Sequence, residues 1–120
     1  MNARLERSRQ ELGAARVLAE RGFALQAISR AYYAAFYAAQ EALVSLGETR
    51  SKHSGVLSAF GRRVVREGGL AEQAGRLLRS LFERRNDADY GGVPASREVA
   101  EAAIDDAERF VEMVDGWLAR

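Results

Sequence analysis

The sequence predicts an all-α protein, an up-and-down bundle of four to five helices. Three observations carry this. Apolar residues recur at a spacing of three and four along most of the chain, and no stretch alternates apolar and polar residues with β-branched enrichment. Glycine falls mostly at segment ends, and Pro94 is the only proline, so the punctuation separates helices. At 120 residues the chain is expected to form one domain over 1–120, long enough for a single hydrophobic core and too short for two.

The first helix is expected from about Ala3 to Arg21, with Leu5, Leu12, Ala15 and Ala19 on one stripe and Gly22 ending it. Arg4, Glu6, Arg7, Arg9 and Glu11 read as a solvated outer face. The second, about Leu25 to Leu46, carries Ala31-Tyr32-Tyr33-Ala34-Ala35-Phe36-Tyr37-Ala38-Ala39 without a charge on any side. A helix apolar all round is buried on several sides, so this one belongs at the bundle centre or in a subunit interface. Its three tyrosine hydroxyls need partners if buried, and Arg30 sits within a turn of Tyr32 and Tyr33. The apolar excess predicts self-association, most simply a two-fold homodimer.

A polar connection from Gly47 leads to Ser51, the expected N-cap of a third helix carrying Val56, Leu57, Phe60 and Val64. His53 falls on its inward side, as a satisfied core residue or a site residue. Gly68-Gly69 ends this helix, and a fourth begins by Ala71. After Gly91-Gly92-Val93-Pro94, Ser96 is expected to cap a last helix with Glu98 and Glu101 in its opening turns. Val99, Ala103, Ala107, Phe110, Val114 and Trp117 form its apolar stripe.

The fourth helix ends in the most informative stretch. Leu70, Ala74, Leu77, Leu78, Leu81 and Phe82 keep the helical spacing, and its continuation falls on Arg85, Ala88 and Asp89. A charge where an apolar side chain is due costs free energy unless it is paired or functional. Arg85 and Asp89 therefore form either a structural pair or part of a site. Asn86 and Tyr90 share the neighbouring face. Arg85 and Tyr90 lie roughly 140° apart on an ideal helix, so they converge only if the helix loosens or a second chain supplies one of them.

Composition narrows the chemistry. The formal net charge is +1, so any nucleic-acid contact must come from a local patch. There is no cysteine, which excludes disulfides, thiol catalysis and zinc–thiolate sites, and a lone histidine excludes a multi-histidine metal site. No phosphate-binding glycine loop, Glu-x-x-His pair or serine elbow is present, so no metal and no cofactor is expected. No apolar run reaches the length of a membrane span and no basic-then-apolar leader opens the chain, which points to the cytoplasm. What remains is Arg85, Asn86, Asp87, Asp89 and Tyr90, with Arg84, His53 and Lys52 as neighbours. Arginine stabilises phosphate charge, and metal-independent RNA cleavage needs a group to take the 2′-hydroxyl proton.

Three segments carry a family resemblance: Arg30-Ala31-Tyr32-Tyr33-Ala34-Ala35-Phe36, Lys52-His53-Ser54-Gly55 and Arg85-Asn86-Asp87-Ala88-Asp89-Tyr90-Gly91. In this order, within a small helical chain, they resemble the HEPN family over most of the length. The resemblance implies a dimeric bundle that often acts beside a minimal nucleotidyltransferase in toxin–antitoxin pairs. Many members are metal-independent RNases that use an arginine, a following polar residue and a histidine four to six residues on. Arg85 and Asn86 match the first two positions. Tyr90 stands at the histidine position of the shortest spacing, and a phenol of pKa near 10 is a poor base at neutral pH. Tyr90 would then be a binding group or a hydroxyl that a partner nucleotidyltransferase modifies.

The first reading is a nucleotide- or RNA-binding module with Arg30, Lys52, Arg84, Arg85, Asp87 and Asp89 at the ligand. The second is an RNase in which Arg85 and Asn86 act with His53 or Tyr90. The third is a purely structural helical dimer.

Overall fold

The computed structural model describes residues 5–91 and 94–120. Five α-helices follow in chain order: α1 Glu6–Glu20, α2 Ala24–Val44, α3 His53–Ala59, α4 Glu72–Tyr90 and α5 Arg97–Leu118. Among the described residues there is no strand. The expected first residues of α1, Ala3 and Arg4, and Gly92 and Val93 of the loop before α5 lie outside the described residues.

The helix ends have clear local causes. Beyond α1, Phe23 N–H donates to Leu18 O and Gly22 N–H to Ala19 O, the paired bonds that close a helix around a left-handed residue. Gly22 supplies that residue at φ 88°, a conformation a side chain disfavours. At the other end of the chain Ser96 Oγ accepts from Val99 N at 3.2 Å, capping α5 as its sequence predicts. The third helix departs from expectation. It starts at His53, with Lys52 rather than Ser51 at the N-cap position and no side-chain cap bond. After Ala59 it widens into a π-helical segment, Phe60–Arg66. In that segment Phe60 and Val64 are fully buried while Arg62 and Arg66 are exposed.

Helix α2 is the centre of the bundle. It packs against α1, α4 and α5, and Ala31, Tyr32, Ala34, Ala35, Phe36, Ala38 and Ala39 are all buried within the chain. Alanines let the neighbouring backbones approach, so most of the charge-free run is covered within the chain, with Tyr33 and Tyr37 half-buried. From α5, Ala100, Ala103, Ile104, Ala107, Phe110, Val111, Val114 and Trp117 face inward. Val99, expected on that stripe, is exposed, because the stripe begins one residue later at Ala100. Phe110 packs on Phe60 with ring centroids 5.2 Å apart, and truncating such a side chain to alanine costs about 3–5 kcal/mol. Trp117 Nε1 donates to Gly68 O at 2.8 Å, which ties the end of α5 to the end of the π-helical segment. Together these contacts set the middle of α2, the start of α3 and the last turns of α4 side by side.

Candidate functional site

The charges at the end of α4 arrive on the inward face, as the spacing predicts, and meet aromatic rings from α2. Arg85 is largely buried. Its Nε lies 2.8 Å from Asp89 Oδ2, one turn on in the same helix. Its Nη2 donates to Tyr33 Oη at 3.2 Å, and its Nη1 has only a long contact, 3.5 Å, to Asn86 Oδ1. The guanidinium carbon stands 5.5 Å from the Tyr33 ring centre and 5.7 Å from that of Tyr32. The Nε atom is enclosed and faces the Asp89 carboxylate as an ion pair rather than along a well-aligned hydrogen bond. An arginine offers five N–H donors, and here those on Nη1 are the least committed.

His53, the first residue of α3, enters the same cluster. Its ring stacks on Phe36 at 4.5 Å between centroids and lies against Tyr32 at 5.5 Å and Phe82 at 6.2 Å. Its Nδ1 is 2.6 Å from Tyr32 Oη. Burial pushes the imidazole pKa below its usual value, and the Arg85 charge pushes it further the same way. Burial also drives the Tyr32 phenol well above its usual value, against the opposing pull of Arg85. At neutral pH the pair is therefore a neutral imidazole and a protonated phenol. Tyr32 has no other hydrogen-bond partner among the described residues, so its proton is donated to Nδ1. That fixes the imidazole hydrogen on Nε2 and makes Nε2 a donor.

A second guanidinium borders the cluster. Arg30 lies over the other side of the aromatic group, 4.9 Å from the Tyr33 ring centre, and Glu11 of α1 holds its Nη1 at 3.2 Å. Arg30 and Asp89 line one groove with Leu18, Leu25, Ser29 and Ala88, about 530 Å³ in volume. A groove of that size suits a small ligand.

Of the residues singled out in the sequence, the structure thus brings together Arg30, His53, Arg85, Asn86 and Asp89. It does not bring in the others. Helix α4 stays α-helical through its last residue, and Tyr90 points to solvent at 80% exposure, so Arg85 and Tyr90 do not converge within one chain. Arg84 turns to α5, where its Nη2 donates to Asp106 at 2.6 Å, and it also bonds Ser80. Asp87 is exposed and borders a separate depression with Leu25, Pro94 and Val99. Lys52 is exposed and lines a depression with Thr49, Arg50 and Ser54. Tyr32, Tyr33, Phe36, Phe82 and Glu11 were not singled out as site residues. The signal for the first two was their hydroxyls, which needed partners in an apolar helix.

Among the described residues no group of acids and histidines could hold a metal ion, and no helix is long and apolar enough to cross a membrane.

The profile of the HEPN domain matches residues 1–117. The chain is 35% identical over 114 residues to a Methanocaldococcus jannaschii protein named "Putative toxin MJ0605", covering 95% of this chain and 85% of that protein. It is 34% identical over 118 residues to a Gloeobacter violaceus protein named UPF0332 protein glr0978, covering 97% of this chain and 94% of that one. A UPF0332 protein of Thermotoga maritima is 33% identical over 112 residues, with 93% and 80% covered.

Proposed function

Because this chain belongs to the HEPN domain family, we propose that it is a toxin-type HEPN module that binds a nucleotide or RNA phosphate at Arg85. A minimal nucleotidyltransferase would be its partner in a toxin–antitoxin pair, in the cytoplasm. The observation that carries this reading is the state of the Arg85 guanidinium. Nε is paired with Asp89 and Nη2 donates to Tyr33, yet Nη1 has only a 3.5 Å contact to Asn86 Oδ1. The pair with Asp89 uses Nε and leaves the Nη1 donors over. A phosphate oxygen would take the Nη1 donors, and a charged, planar donor set suits it; Arg30 and Asp89 line the neighbouring groove, from which a ligand would reach Arg85 past Asp89. The neutral His53 adds an Nε2–H donor on the same cluster. The toxin in the name of the Methanocaldococcus jannaschii relative supports the toxin–antitoxin setting.

One feature supports a homodimer through the end of α4. Leu25, Ala88, Pro94 and Val99 line the separate depression beside Asp87, and Leu25 and Val99 are exposed. A second copy seated there would cover apolar surface that the chain itself leaves open.

The placement of His53 favours a second reading, a metal-independent RNase. An imidazole kept neutral beside an arginine is the base form such cleavage needs, whereas Tyr90 is too exposed to serve the same cluster. In that case Tyr32 must release Nδ1, or the ring must change tautomer so that Nδ1 carries the hydrogen and donates to Tyr32 while Nε2 accepts, a rearrangement binding alone does not require.

The test is a labelled RNA pool with the purified protein in the presence of a chelator, with Arg85→Ala and His53→Ala prepared identically. The first reading expects bound, intact RNA with wild type and no binding with Arg85→Ala. Cleavage lost in both variants would establish the second reading in its place. Equal binding by wild type and Arg85→Ala, with no cleavage by either, would overturn both.

A further inference from the structure

The charge of the chain is unevenly placed, and a surplus of cations gathers between residues 48 and 67. Between residues 48 and 67 stand five cations, Arg50, Lys52, Arg62, Arg63 and Arg66, against Glu48 and Glu67. That is a local surplus of three in a chain whose formal net charge is +1. The fold concentrates it. Glu48 is a shared anchor, 2.6 Å from Arg63, 3.7 Å from Arg62 and 3.7 Å from Arg50, so the loop after α2 is laid against the π-helical segment. One carboxylate cannot neutralise three guanidiniums, although their convergence holds its own pKa below the usual range despite the opposing effect of burial. Arg63 also pairs with Glu67, four residues on, at 3.2 Å, which shows that this spacing lies on one side of the segment. Arg62 and Arg66 have the same spacing, and Arg66 has no ion-pair partner among the described residues.

The chemistry of this face favours a polynucleotide over a protein. The depression beside it, about 290 Å³, is lined by Thr49, Arg50, Ser51, Lys52, Ser54 and Gly55, without an apolar side chain. Protein interfaces have an apolar core depleted in lysine and serine, whereas nucleic-acid interfaces are polar and strongly positive. The face also adjoins the Arg85 cluster, because Lys52 is followed directly by His53, whose ring lies in that cluster. We infer that Arg50, Lys52, Arg62 and Arg66 form a track for the phosphodiester backbone of an RNA strand, leading away from the Arg85 cluster. This deepens the reading above, naming a strand rather than a mononucleotide as ligand, and it rests on that reading.

The test compares wild type, Arg85→Ala and the triple variant Arg50→Gln/Arg62→Gln/Arg66→Gln. Binding of a labelled single-stranded RNA of about 20 nucleotides is followed by anisotropy from about 50 to 200 mM salt, alongside adenosine monophosphate as the short ligand. Circular dichroism checks folding, and the single exposed change Arg66→Glu serves if the triple variant is unstable. Expected is an RNA affinity lowered about tenfold or more in the triple variant at low salt, with the log–log salt slope shallower by about 2 for three lost phosphate contacts. Adenosine monophosphate binding would be unchanged in that variant and lost in Arg85→Ala. RNA affinity and salt slope equal to wild type would overturn the track while leaving the Arg85 reading intact, as would wild type that binds the mononucleotide but no RNA. Wild type that binds neither would overturn both. Binding of an acidic polypeptide, but not RNA, that the triple change abolishes would assign the face to a protein instead.

Discussion

Tyr32→Phe removes one oxygen atom and nothing else, which isolates the contact that defines His53. The ring of Tyr32 is fully buried and keeps its packing on Tyr33, Phe36, His53 and Phe82 in the variant. What is lost is the 2.6 Å bond to His53 Nδ1. A neutral hydrogen bond contributes about 0.5–1.5 kcal/mol net, and leaving a largely enclosed acceptor unpaired adds to the loss, for a total of about 1–2 kcal/mol. For a chain of this length that lowers the melting temperature by about 3–8 °C. The imidazole should change as well. In wild type the phenol donates to Nδ1 and the hydrogen sits on Nε2; without the phenol that preference disappears. Thermal melts followed by circular dichroism read the first effect, and imidazole nitrogen chemical shifts read the second. A variant that melts within about 1 °C of wild type, with unchanged imidazole shifts, would refute the reasoning, since a bond of that strength would then be missing.

Three further outcomes follow from the same geometry. His53 has a folded-state pKa below its unfolded value, so its contribution to stability is fully present above the unfolded value of about 6.5 and is lost as pH falls through the folded value. Denaturant melts from neutral to mildly acid pH should show this loss, and His53→Gln should flatten it; an equal slope in both would sink the assignment. Arg84→Ala should lower stability by about 1–2 kcal/mol through the partly buried pair with Asp106 while leaving nucleotide affinity unchanged, as titration calorimetry would show. A fall in affinity instead would return Arg84 to the site. Light scattering at micromolar concentration should give a dimer that Val99→Glu dissociates; a wild-type monomer would contradict the pairing through the end of α4.

Much of this was legible in the sequence, for physical reasons. The helices follow from apolar spacing because the bundle is built from amphipathic surfaces, and the position of Arg85 on the inward face follows from the same period. The cluster around it was not legible as a cluster. Tyr32, His53 and Arg85 come from three helices, and only packing sets the imidazole against the phenol. The sequence shows that Tyr32 needs a partner without showing which one. Tyr90 illustrates the reverse case. Its distance from Arg85 in the motif invited a joint role, but an α-helix intact to its last residue carries the two apart. Val99 was misplaced by a single residue, enough to turn a helical side chain from core to solvent. The π-helical segment left no mark, because Phe60 and Val64 satisfy α spacing as well.

The central claim is that Arg85 takes a phosphate oxygen with donors the fold leaves free. The most direct measurement is nuclear magnetic resonance of the arginine Nε–H signals during titration with a short RNA. The account predicts a saturable shift of the Arg85 signal, absent in Arg85→Ala, with the His53 ring signals moving at the same midpoint. Saturable binding that moves other signals and leaves those of Arg85 and His53 in place would contradict it.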